Sequence, residues 1–202
     1  RNHLVFSTSY NRWFTYEREG LFTRLMYINC SKYLVPGRIP KIGNQIEIEI
    51  PEKLYADRSK LSSFIDQQNK NTIYYHSGGR YWRKAILQKL SSEYKPINIK
   101  TEYQEIILGL LNSTLFYWYW IVFSDCYHVV KSEVENFPID CRKFSDDQTQ
   151  RLRMITCTLL KEYEQNSVIT KARNSNTMSQ KSFFPAKSKS TIDMIDSILS
   201  AH

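Results

Sequence analysis

The 202-residue chain sorts its apolar and polar positions into more than one periodicity, and each periodicity predicts a different kind of element. Gln45–Ile50 alternates apolar and charged residues, the pattern of a half-buried strand, with Pro51 closing it. Thr72–His76 (TIYYH) also reads as a strand and runs into Ser77-Gly78-Gly79, a turn whose glycines tolerate positive φ. Val5 and Phe6 fit a strand, Pro36-Gly37 is a turn signal, and Leu61, Phe64 and Ile65 are spaced for a short helix. Tyr81–Leu90 fits either a strand or a helix.

The second half is helical in pattern. Thr101-Glu102-Tyr103-Gln104 has the form of a capping box, and Ile106–Phe123 is apolar nearly all round. One long helix over 102–124 is expected. Its apolar run approaches the ~20 residues of a membrane span. Polar Asn112, Ser113 and Thr114 interrupt that run, and Glu102, Glu105 and Asp125 flank it, which favours a buried core helix. Ser145-Asp146-Asp147-Gln148 is a second capping box, opening a helix over 146–164 with an apolar stripe of Leu152, Ile155, Leu159 and Tyr163. Residues 165–190 are polar and read as a loop. A last helix over 190–201 carries Ile192, Ile195, Ile198 and Leu199 on one face. These elements predict an α+β fold. A twisted, mostly antiparallel sheet from residues 1–100 would pack on the long helix, within a domain over 1–144, and a helical subdomain would occupy 145–202.

Charge divides the chain unevenly. The net charge is +8, with 17 Lys+Arg against 8 Asp+Glu in residues 1–100 and 11 against 12 in residues 101–202. An excess confined to one half points to a polyanionic partner, nucleic acid before an acidic membrane surface, although a basic solvated face reads the same way. Cys30, Cys126, Cys141 and Cys157 form no C-x-x-C pair, and Cys126 with His128 lacks a second pair of ligands at finger-like spacing. Reduced cysteines and a cytoplasmic location are expected. The chain begins at Arg1 and ends at His202 inside an amphipathic helical pattern, so it is expected to be part of a longer protein.

No glycine-rich nucleotide loop, G-x-S-x-G or H-E-x-x-H motif occurs, and the carboxylates form no compact cluster beside a lysine. No catalytic site and no metal are expected in this chain. Aromatic and basic residues are instead interleaved. Tyr10-Asn11-Arg12-Trp13 precedes Arg18, Arg38 and Lys41 follow, and Arg80-Tyr81-Trp82-Arg83-Lys84 lies directly after the glycine turn. Arginine and lysine contact phosphates, arginine also grips guanine edges, and aromatic rings stack on bases. Trp13 and Trp82 read first as core residues beside arginines that extend to solvent. Arg80, Tyr81, Arg83, Lys84, Arg12, Arg18, Arg38 and Lys41 are the candidate DNA-binding residues.

Several segments resemble one family. Gly109-Leu110-Leu111-Asn112-Ser113-Thr114-Leu115-Phe116 resembles the G-x-L-N-S-x-L-F helix of TaqI-like C-terminal specificity domains, found in type IIG restriction–modification enzymes and related adenine-specific DNA methyltransferases. Ser124-Asp125-Cys126, Glu133 and Phe137-Pro138-Ile139 are similar to its S-D-C … E-x-x-x-F-P-I continuation. Tyr75, Gly78, Gly79, Tyr81 and Trp82 are similar to its Y-Y-x-x-G-G-x-Y-W segment. Ser9–Trp13 with Glu17-Arg18-Glu19 and Leu21-Phe22, and the helix Lys187–His202, match its two ends in order.

The resemblance implies a target-recognition domain that binds double-stranded DNA and places a methyltransferase catalytic domain of the same parent chain over its adenine. S-adenosylmethionine would bind that catalytic domain, whose cofactor loop and N-P-P-Y adenine pocket this chain lacks, so no cofactor and no membrane partner are expected here. The resemblance also implies structural roles for Asn112, Ser113, Phe137 and Pro138, with the two polar side chains bonding backbone or the Phe137-Pro138-Ile139 segment. Two rival readings are a protein–protein docking module of such a system and a nuclease, the latter requiring carboxylates and a lysine to converge.

Overall fold

The computed structural model describes residues 14–17, 19–20, 28–34, 39–56, 59–78, 84–171 and 179–201. The fold is α+β, as the sequence predicts. It contains helices α1 (Ile46–Leu54), α2 (Gln104–Asn112), α3 (Thr114–Phe123), α4 (Lys131–Glu135), α5 (Asp146–Gln165) and α6 (Lys189–Ser200). Its strands are β1 (Thr72–His76), β2 (Ala85–Ile86), β3 (Tyr94–Asn98), β4 (Val168–Lys171) and β5 (Ser179–Ser182).

The first three strands form an antiparallel sheet in the order β2-β1-β3. Ile73 pairs with Ile97 and Tyr75 with Ala85, so all four project to the face that meets the helices, and all four are buried. Tyr74, His76 and Tyr94 lie on the opposite face by the same alternation. Burial pushes the Tyr75 phenol up to about 12, helped by the nearby charges of Glu135 and Glu133.

The expected single helix over 102–124 is two. Helices α2 and α3 meet at Ser113 with a bend of 64°. Ser113 is extended (φ −75°, ψ 161°) and its Oγ accepts a hydrogen bond from Phe116 N at 3.0 Å, which makes it the N-cap of α3. The same hydroxyl donates to Leu110 O at 2.6 Å, at the end of α2. Asp196 of α6 adds a second cap, accepting from Thr114 N at 2.8 Å. The polar triplet in the apolar run therefore marks a break rather than a tolerated interruption. Among the described residues no single helix is long and apolar enough to cross a membrane.

Helix α5 packs along α2, and α6 packs on both α5 and α3. The Ser145–Gln148 capping box forms as predicted, with Gln148 N donating to Ser145 Oγ and Ser145 N to Gln148 Oε1. The fully buried positions of α5 are Leu152, Thr156, Leu159 and Tyr163, and the expected Ile155 packs partly buried beside them. Gly109 of α2 faces Thr156, and a Cβ there would lie 2.5 Å from Thr156 Oγ1. The missing side chain is what lets the two helices approach. One hydrophobic cluster runs from Leu61 through the sheet, α2 and α3 to Leu199. Burying each of its large aliphatic side chains contributes about 1.5–3 kcal/mol.

Three other expectations are corrected. Gln45–Ile50 is not a strand but the start of α1, which continues through Pro51 to Leu54. Asn44 Oδ1 accepts from Glu47 N at 3.0 Å, while Glu47 Oε2 accepts from Gly43 N and Asn44 N. That reciprocal cap outweighs the period-2 alternation. Thr101 does not cap α2, whose N-cap Tyr103 has no side-chain bond; Thr101 instead opens a short 3-10 turn and accepts from Asn71 Nδ2 at 2.6 Å. The polar stretch 165–190 is not merely a loop, because β4 and β5 pair within it as an antiparallel hairpin. Val5, Phe6, Pro36 and Gly37 lie outside the described residues.

Candidate nucleic-acid interface

Asn112 links the helical core to the sheet. It is fully buried at the C-terminal end of α2. Its Oδ1 accepts from Ala85 N at 3.1 Å and its Nδ2 donates to Ala85 O at 2.9 Å, so the amide pairs with β2 as a neighbouring strand would. Nδ2 also donates to Leu108 O at 2.9 Å, and Tyr163 Oη donates to Oδ1 at 3.1 Å. Every polar position of the amide that can bond is occupied, as a buried amide requires. Among the described residues Asn112 and Ser113 therefore bond backbone, with Tyr163 Oη added at Asn112, and not the 137–139 segment. Phe137 packs its ring against Phe116 and Tyr119, and Pro138 bridges to Lys60.

Ala85 follows Lys84 directly, and Lys84 closes the basic turn that leaves β1 after His76. The backbone is fastened on both sides of this turn. His76 N donates to Lys84 O at 2.9 Å, and Ser77 N donates to Glu93 O at 2.8 Å. A Cβ on Gly78 would meet Glu93 Oε2 at 1.7 Å, so only glycine allows the carboxylate to lie over this position. The imidazole of His76 stands edge-on to the Tyr94 ring at 5.0 Å. Its Nδ1 is buried with no hydrogen-bond partner among the described residues. Burial and the Lys84 charge hold the His76 imidazole below its usual value, with Glu93 opposing them. Burial likewise lowers Lys84. Among the described residues Lys84 makes no ion pair.

Of the candidate DNA-binding residues, Lys84 sits at this turn. Lys41 serves the fold: its N–H donates to Val122 O at 3.0 Å, and its ammonium donates to Ser124 O and, at 3.3 Å, to Cys126 Sγ. It thus closes the C-terminal end of α3, where a cation is favoured by the helix dipole. Arg12, Arg18, Arg38, Arg80, Tyr81 and Arg83 lie outside the described residues. His76, Glu93 and Tyr94 belong to the same cluster although the sequence reading did not single them out. The signal for His76 was available, since the strand alternation sets it opposite Tyr75, one residue before the turn.

A concavity of about 550 Å³ opens between α1, the start of α3, the 137–143 segment and the end of α6. Leu54, Leu115, Trp118, Phe137, Ile139 and Leu199 line it. Asp140 and Asp196 lie in its wall, but both carboxylates are engaged, Asp140 by Arg142 and Asp196 by the α3 N-terminus. Among the described residues no three His, Cys, Asp or Glu side chains are grouped to hold a metal ion. No family model matches the chain, and no curated protein or solved structure matches it.

Proposed function

We propose that this chain is the target-recognition domain of an adenine-specific DNA methyltransferase of a restriction–modification or phage-defence system. In this reading the chain binds duplex DNA and has no catalytic role of its own. The rest of the parent protein binds S-adenosylmethionine and draws the target adenine out of the duplex. The observation that carries the reading is the Asn112 clamp on Ala85. It lies inside the motif on which the family resemblance rests, and it anchors the exit of Arg80-Tyr81-Trp82-Arg83-Lys84. A recognition segment gains affinity and register when its root is rigid, because less freedom is lost on binding. The basic half of the chain adds the long-range attraction that a polyanion requires.

The direct test is Arg80→Ala with Arg83→Ala in the folded chain. The double variant is expected to bind duplex more weakly, with the salt slope reduced by about one for each phosphate contact removed. Unchanged affinity and slope in a normally folded variant would refute the role of this turn.

A protein-docking reading is favoured by the apolar concavity near α6, whose lining suits an apolar partner. Loss of partner capture with retention of duplex binding in Leu115→Asp would assign that surface to docking.

A further inference from the structure

The root of the basic stretch holds two half-buried groups that make no ion pair among the described residues. Among the described residues His76 has a buried Nδ1 without a partner, and Lys84 makes no ion pair. Burying such groups is unfavourable unless something compensates them. Among the described residues, three groups face His76. Tyr94 comes from β3, Lys84 from the residue before β2, and Glu93 from the residue before β3. Glu133 and Glu135 act on Tyr75, on the opposite face of the sheet. Among the described residues, Glu93 is therefore the anion that acts on His76. Its side chain is exposed, lies over the bare Cα of Gly78, and is attached to a backbone carbonyl already bonded to Ser77.

We propose that His76 and Lys84 form a phosphate-binding site at the root of the β1–β2 connection, that the Glu93 carboxylate borders it on the Gly78 side, and that phosphate entry is accompanied by protonation of His76. A dianionic or diester phosphate oxygen supplies the acceptor that His76 Nδ1 lacks and the counter-charge that Lys84 lacks. The exposed Glu93 side chain turns away as it enters. The proton comes from solvent, so binding tightens as the pH falls toward the range in which free imidazole titrates. The phosphate of a duplex backbone and free phosphate share this chemistry. The duplex form of the site rests on the DNA-recognition reading.

The test follows the His76 imidazole by NMR through a pH titration, with the resonance assigned by His76→Gln. The chain is titrated alone, with inorganic phosphate, and with a mixed-sequence duplex. Phosphate is expected to raise the His76 pKa by about one unit, which by linkage means about tenfold tighter binding to imidazolium than to imidazole. Lys84→Gln should remove that rise. Glu93→Gln should lower the pKa of the free protein and tighten phosphate binding about threefold, as loss of one exposed like charge predicts. A duplex that binds while His76 titrates unchanged overturns the site and leaves DNA recognition standing. A rise with inorganic phosphate but no duplex binding supports the site as one for free phosphate and removes the DNA reading. No rise with either probe overturns the proposal.

Discussion

Asn112 holds Ala85 by both backbone groups, accepting from its N–H at 3.1 Å and donating to its carbonyl at 2.9 Å. One side chain thus acts as the missing neighbour strand of β2 and joins the sheet to α2. Asn112→Ala leaves the buried N–H and carbonyl of Ala85 without the side chain that pairs them. The expected loss is about 3 kcal/mol or more, since each orphaned buried group costs about 1–3 kcal/mol. Urea denaturation measures it, and a loss below about 1 kcal/mol would contradict the clamp.

Gly109 and Thr156 make the α2–α5 contact. Alanine at 109 would add about 1 kcal/mol of helix propensity, but its Cβ would stand 2.5 Å from Thr156 Oγ1. Overpacking of this kind costs about 1–3 kcal/mol, so Gly109→Ala is expected to destabilise the fold. Thr156→Ala removes the hydroxyl, which is buried without a partner. The double variant should therefore be more stable than the two single losses added together. Strict additivity in a double-mutant cycle would show that the contact is not the cause.

Asp140 gives the fold an acid-sensitive joint. Arg142 Nε and Nη2 donate to its two carboxylate oxygens at 2.7 and 2.6 Å, and Ser59 Oγ donates at 3.1 Å. The guanidinium holds the carboxyl down at about 2, against partial burial. A depressed carboxylate contributes stability that is complete above its ordinary value near 3.8 and is lost as the pH falls from there toward 2. Arg142 is more than half exposed, so solvent screening keeps the contribution near 1 kcal/mol. Asp140→Asn should flatten the stability profile between pH 4 and pH 2 by about that amount. An unchanged slope there would assign acid sensitivity to other groups.

The four free thiols should differ in reactivity. Cys141 is buried, and burial with the Asp140 charge beside it pushes the thiol up to about 12. Cys157 is exposed on α5, and Cys30 and Cys126 are half-buried. Alkylation of the folded chain, followed by peptide mass spectrometry, should modify Cys157 early and Cys141 last. Cys141 labelling as fast as Cys157 would mean that the 140–144 segment opens readily.

Much of this fold is legible from pattern. Thr72–His76, the capped start of α5 and the apolar face of α6 all follow from local periodicity and cap chemistry. The errors share a physical origin. Gln45–Ile50 alternates like a strand, yet Asn44 and Glu47 three residues apart cap each other and start a helix. The run 106–123 reads as one helix because nothing local reveals that Ser113 bonds both Leu110 and Phe116, or that Asp196 reaches the new N-terminus from 82 residues away. The β4–β5 hairpin pairs VITK with SQKS, two four-residue strands with no apolar–polar alternation to detect. For the candidate interface, the basic turn is visible in sequence while its supports are not. Lys41 looks like the other cations until the structure puts its ammonium on the end of α3, and the His76–Glu93–Tyr94 grouping depends on the register of β1 with β3.

The central claim is sequence-specific duplex recognition, and selection from a randomised duplex pool across a salt titration tests it most directly. The account predicts enrichment of a short motif, with affinity falling steeply as salt rises. Retention of duplex without any enriched motif, both by this chain and by its full-length parent, would contradict it.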